Sequence, residues 1–100
     1  MIVEERCYVL HPNWSTNDYL EVFRREGLDL QRRTLGGLVG YFTTEVGELN
    51  AVVSLWEYQS FEDRQRRRAA LAAEPAWQDY LKKVRPMISS MSNRLMVRAV

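Results

Sequence analysis

An α+β fold with the element order β-α-β-β-α-β is predicted by three features of this 100-residue chain. Side-chain character alternates with a period of two at both ends of the chain, as it does along a strand. Between them, Gly40 to Tyr58 places β-branched and aromatic residues on both sides of Gly47-Glu48-Leu49-Asn50, the pattern of a hairpin. The two remaining intervals are rich in helix formers and carry helix-capping residues.

Taken in order, residues 2–11 alternate and predict the first strand, which stops at His11-Pro12-Asn13. Ser15 followed by Asp18 forms a capping box, and Trp14 with Tyr19 forms a hydrophobic staple at a helix entry. Tyr19, Leu20, Val22 and Phe23 give that helix its apolar stripe, Gly27 interrupts it, and Leu28, Leu30 and Leu35 continue it to Gly36-Gly37. Hairpin strands are expected near 38–46 and 51–59. Ser60 and Asp63 start another helix over Phe61 to Ala73, and Pro75 suits the first turn of the next. Trp77, Leu81, Val84 and Ile88 recur at helical spacing toward Pro86, with Met87, Met91 and Met96 read as core, and alternation from Asn93 to Val100 predicts the last strand.

This is the order of a ferredoxin-like sheet, in which both helical crossovers lie on one face and the other face is bare. The purely apolar set Val3, Cys7, Val9, Phe42, Val53, Leu55, Leu95 and Val97 is expected to face the helices, with Cys7 an inert core thiol. The mixed set Arg6, Tyr8, Leu10, Val39, Tyr41, Glu45, Val52, Ser54, Trp56, Tyr58, Arg94 and Met96 is expected on the bare face. Each buried aromatic removes about 150–250 Å² from water, so a second copy of the sheet is expected to cover those rings, giving a homodimer around a partly enclosed interior.

Composition narrows the function. A chain with 46% hydrophobic residues suits one domain spanning 1–100, burying roughly 60–70% of its unfolded surface. Fourteen basic against 13 acidic residues leave a net charge of +1, which argues against nucleic-acid binding. One cysteine provides neither a disulfide framework nor a cysteine-based metal site. With no signal-peptide core and no apolar run near the ~18 residues of a membrane span, a cytoplasmic protein is expected. No Gly-rich phosphate loop, paired-histidine motif or Gly-x-Ser-x-Gly elbow is present, so no cofactor or metal is expected.

Arg6-Cys7-Tyr8-Val9-Leu10, Leu38 to Glu45, Leu49 to Tyr58, Asp63-Arg64 with Arg67-Arg68-Ala69, and Pro75-Ala76-Trp77 together resemble the NIPSNAP family across nearly the whole chain. The resemblance implies a dimeric α+β barrel, an architecture shared with cofactor-independent monooxygenases of antibiotic biosynthesis and with small lyases and isomerases. The family pattern on the second hairpin strand is Val-Val-His-Leu-Trp, and Ser54 stands where that histidine would be. Asn13 and Ser92 also depart from the pattern.

The candidate site follows from the expected bare face. Tyr8, Tyr41, Trp56 and Tyr58 would wall a pocket for an apolar or aromatic metabolite, with Ser54 and Glu45 fixing its polar end; the alternative is that the rings only pack a dimer interface. Arg6 can pair with Glu45 or offer its fork to a carboxylate or phosphate. His11 is the one histidine, either a general base or simply a strand terminus beside a proline. Arg64, Arg66, Arg67 and Arg68 read as a solvated helix face, since Glu62 and Asp63 precede them at helical spacing; binding of an anion or a membrane is the alternative. A cofactor-free oxygenase, isomerase or lyase and a noncatalytic binding dimer are therefore the two function classes.

Overall fold

A computed structural model describes residues 1–100. Strand β1 (Ile2–Leu10) leads through α1 (Thr16–Val22), a π-helical turn (Phe23–Gly27) and α2 (Leu28–Leu35) to the hairpin β2 (Leu38–Thr43) and β3 (Ala51–Tyr58). Then α3 (Phe61–Ala72), α4 (Pro75–Val84) and a 3₁₀ turn (Arg85–Met87) return the chain to β4 (Ile88–Val97). The sheet order is β2-β3-β1-β4 and every neighbouring pair is antiparallel. The fold is thus α+β and ferredoxin-like, with both crossovers on one face, where α1 meets α4 and α2 meets α3.

Local chemistry explains the boundaries. Ser15 and Asp18 form the reciprocal capping box, at 2.8 and 3.1 Å, and Ser60 Oγ accepts the Asp63 N–H at 3.0 Å. Gly27 does not break the helix; it lies in the π-helical turn, against the Tyr80 ring. At Gly37 (φ +47°) a side chain would collide with the Glu57 carbonyl 2.0 Å away, in the place where Gly37 accepts the Glu57 N–H at 2.8 Å. Asn50, also at positive φ, ties the β3 end to the β1–α1 connection through Nδ2 bonds to the carbonyls of Leu10, His11 and Trp14. The last strand begins at Ile88 instead of Asn93, because Pro86 ends the helical run in a 3₁₀ turn. Of the three methionines expected in the core, Met87 is buried and Met91 is exposed.

The faces of the sheet are the reverse of the expectation along β1 and the hairpin. Tyr8, Leu10, Tyr41, Val52, Trp56 and Tyr58 all belong to or pack on the cluster that joins the helices' Tyr19, Phe23, Leu71, Trp77, Tyr80 and Val84. Trp56 is 0% exposed and edge-on to Tyr41, which stacks on Phe23 at 4.3 Å. Cross-strand pairing places Cys7 beside Val53 and Val53 beside Phe42, so these turn to the bare side, where Phe42 is 51% exposed. Along β4 the expected parity holds: Leu95 pairs Glu4 and Val97 pairs Ile2 on the helix side, while Met96 pairs Val3 on the bare side. Cys7 is consequently a half-buried residue of the bare face and not a core thiol.

The reversal has a physical reason. An apolar strand face can be covered by helices or by another protein surface, and alternation alone does not say which. Here the helices bring aromatic rings and arginines to the sheet, which accommodates polar strand residues beneath them. The other strand face is left outside, with Val3, Cys7, Val9, Val53 and Leu55 only half covered, and it also carries Glu5, Glu57, Ser92 and Arg94.

Candidate functional site

The sheet's helix side carries a buried charge. Glu4 is 0% exposed, in the middle of β1, and the sequence reading assigned it nothing. Arg64 of α3 grips both its oxygens, Nε to Oε1 at 3.2 Å and Nη2 to Oε2 at 2.8 Å. Arg6 Nη1 and Asn93 Nδ2 also donate to Oε2, at 3.0 and 2.7 Å. Burial alone would raise the Glu4 pKa, but the hydrogen bonds of Arg64 and Asn93 and the charges of Arg6 and Arg64 outweigh it and bring it to about 2. Two guanidiniums share one carboxylate, so the group keeps one uncompensated positive charge. Arg6 therefore pairs with Glu4, not with Glu45, and Arg64 is an internal anchor where a solvated side chain was expected.

Next to this group, a cavity of about 110 Å³ lies between the sheet and the helices. Its polar wall is Arg6 and Tyr8 from β1, Tyr19 from α1, Gln31 from α2, Arg68 from α3 and Tyr80 from α4. Trp77, Leu81, Val84 and Ile88 complete it with apolar surface, and Arg85 and Met91 stand at its margin. Arg6 Nε donates to the Tyr8 hydroxyl at 3.0 Å, and Tyr80 donates to Tyr19 at 3.3 Å. Burial pushes the phenols of Tyr19, Tyr41 and Tyr80 up, so each stays a neutral hydroxyl at ordinary pH. No three of the His, Cys, Asp and Glu side chains come together as a metal site would require.

Of the residues singled out from the sequence, Arg6 and Tyr8 line this cavity. Tyr41 lies behind it, donating to Gln31 Oε1 at 2.6 Å. Ser54 and Trp56 satisfy each other, Trp56 Nε1 to Ser54 Oγ at 3.1 Å, and Tyr58 is buried with a hydroxyl that has no partner. Glu45 is exposed in the hairpin connection and His11 is exposed after β1; neither reaches the cavity. A larger groove of about 660 Å³ runs along the free edge of β2, between its backbone and Phe23, Arg24, Leu28 and Arg32, and Tyr41 reaches it too. It is an open surface trough, whereas the smaller cavity adjoins the buried ions.

Several residues of the cavity and of the ionic group behind it escaped the sequence reading. Glu4 shares strand parity with Arg6 and Tyr8, which was the available signal. Gln31 and Tyr80 lie on helices whose inner faces only the packing defines, and Tyr19 was expected only as part of the staple and apolar stripe of the first helix.

A four-stranded ferredoxin-like sheet with this crossover arrangement is the protomer fold of the dimeric α+β barrels. The solved cofactor-independent oxygenase SnoaB of Streptomyces nogalater shares it at a TM-score of 0.66 over 99% of this chain and 93% of that one, with 14% identity, which bears on fold alone. The family is shown by closer matches: the NIPSNAP profile fits residues 3–100, and this chain belongs to the NIPSNAP family. A NIPSNAP-like domain protein of Burkholderia xenovorans is 48% identical with a TM-score of 0.93, covering 97% of this chain and 84% of that one. A NipSnap homolog of Dictyostelium discoideum is 36% identical over 67 residues, 67% of this chain. The chain spans about 30% of the length of that curated relative. No helix is long and apolar enough to cross a membrane.

Proposed function

We propose that this chain is a small-molecule-binding NIPSNAP protein, taken as one domain, whose site is the cavity between sheet and helices and whose bare sheet face joins a second copy. The observation that carries the reading is the cavity itself: a hollow walled by tyrosines and arginines beside a fully buried carboxylate. Plain cores avoid such groups, because burying a charge costs several kcal/mol unless it is paired. Arg6 and Tyr8 contact the ligand directly, while Tyr41, Ser54, Trp56 and Tyr58 support the wall from behind. A homodimer through Val3, Cys7, Val9, Phe42, Val53 and Leu55 gives the apolar face the cover that a stable surface needs. A reducing, cytoplasmic setting accords with the single free thiol on that face.

The size of the hollow limits the ligand. A dry cavity of about 150 Å³ is known to hold benzene, so 110 Å³ encloses a short acyl chain, or a single ring whose outer part projects at the open Arg85–Met91 margin. Oxygenase, isomerase or lyase chemistry, suggested by the fold's company, needs a proton carrier poised near neutral pH. Glu4 with a pKa of about 2 is a weak base, and the buried phenols hold their protons, so binding is favoured over catalysis.

Trp77 lies in the wall and reports occupancy by its fluorescence. A panel of one-ring and short-chain metabolites is expected to contain compounds that quench it saturably. Trp77→Phe should remove the signal, and Leu81→Phe should remove the heat of binding while the fold is kept. Binding undiminished in Leu81→Phe, or a panel silent by both fluorescence and calorimetry, would overturn the cavity as the site. Oxygen uptake with one-ring phenols would move the assignment to an oxygenase.

A further inference from the structure

The hydrogen-bonding inventory of the cavity is one-sided. Arg68 lines it without a carboxylate partner and has only the neutral Tyr58 hydroxyl as a neighbouring acceptor, although the Glu and Asp partners of Arg6, Arg64, Arg66 and Arg67 are all in place. Gln31, 4% exposed, gives its oxygen to Tyr41 and leaves its amide N–H₂ unpartnered. Tyr8 and Tyr19 each accept a hydrogen bond, from Arg6 and Tyr80, so the proton of each hydroxyl meets no acceptor within the protein. A hydroxyl donates one bond as well as accepting, and a guanidinium only donates. Four side chains therefore offer donors to the hollow, and the open acceptors facing them are neutral hydroxyl oxygens such as that of Tyr80.

The charge is one-sided in the same sense. Glu4, the carboxylate behind the wall, is saturated by Arg6, Arg64 and Asn93, and the cavity lining itself holds three arginines and no acid. Unpartnered donors and positive charge in a poorly hydrated site are costly, and an anionic acceptor relieves both at once.

Resting on the cavity reading above, we infer that the ligand is a small organic carboxylate: its two oxygens take the Arg68 fork and the hydroxyl and amide donors of Tyr8, Tyr19 and Gln31, and its apolar body of no more than one ring lies against Trp77, Leu81 and Ile88. The carboxylate matches a planar guanidinium in a bidentate way, which a lysine would not provide.

The test uses benzoate and its uncharged isostere benzamide, followed by calorimetry and Trp77 fluorescence. Benzoate is expected to bind at least tenfold more tightly than benzamide. Arg68→Gln should reduce that preference to under threefold, the loss falling mainly on benzoate, and Arg68→Lys should fall between. If Arg68→Gln does not fold, Arg68→Lys carries the comparison, since it keeps the charge and loses the fork. Benzamide binding as tightly as benzoate overturns the carboxylate assignment and leaves the cavity as a neutral site. A benzoate preference untouched by both Arg68 variants also overturns it. Failure of both probes, together with a silent panel, removes the cavity reading as well.

Discussion

Glu4 is the residue on which the internal polar group turns. Removing one partner of a buried ionic group strands the others, which typically costs about 3–5 kcal/mol. Glu4→Gln keeps the shape and loses the charge, so a loss near the lower end of that range, ~3 kcal/mol, is expected in urea unfolding at pH 7. The folded-state pKa of about 2 lies below the ordinary 4.5, so Glu4 stabilises the fold fully above pH 4.5 and ever less as the pH falls toward 2. The gap between wild type and Glu4→Gln should accordingly be wide at pH 7 and close in acid. A gap that stays constant from pH 7 to 2, or is absent at pH 7, would show that the charge contributes nothing.

At the scale of the elements, the π-helical turn is held by packing. A Cβ on Gly27 would lie 2.9 Å from Tyr80 Cζ, and that ring is buried, with Trp77 at 4.9 Å and Phe23 at 6.2 Å. Alanine would gain up to ~1 kcal/mol of helix propensity, whereas overfilling a tight core costs about 1–3 kcal/mol. Gly27→Ala is expected to lower the melting temperature, and Tyr80→Leu should relieve that added cost in the double variant. A melting temperature raised by Gly27→Ala alone would show the contact to be soft. The sequence presented Gly27 only as an interruption, because the ring that needs its missing side chain comes from α4, more than 50 positions away.

For the whole molecule, the proposed dimer rests on the bare face. Stable interfaces bury about 800 Å² per partner with an apolar centre, and the half-covered Val3, Val9, Val53 and Leu55 with exposed Phe42 supply such a centre. Placing a charge there, as in Leu55→Arg, should convert a sedimenting dimer at micromolar concentration to protomers while the benzoate heat per chain persists, since the cavity lies on the other side of the sheet. Wild-type protein sedimenting as lone protomers would remove the proposed dimer. Loss of the cavity's binding in the protomeric variant would show that the two faces are coupled.

What the sequence determined by itself is the order of elements, their caps and which strand residues share a face. These depend on local chemistry: the Ser15–Asp18 box, Ser60 with Asp63, Gly37 in its tight place and the two-residue alternation of β1 and β3. Arg6 and Tyr8 were recognised as polar residues of one face for the same reason. Only the tertiary structure decided which face the helices cover, because parity is a relation within a strand and register is a relation between strands. It also decided that Glu4 meets Arg64 across 60 positions and Asn93 across 89, and that Arg68 lines the cavity without a carboxylate partner. Charge complementarity of that range leaves no periodic trace in the chain, since it depends on where the crossovers land.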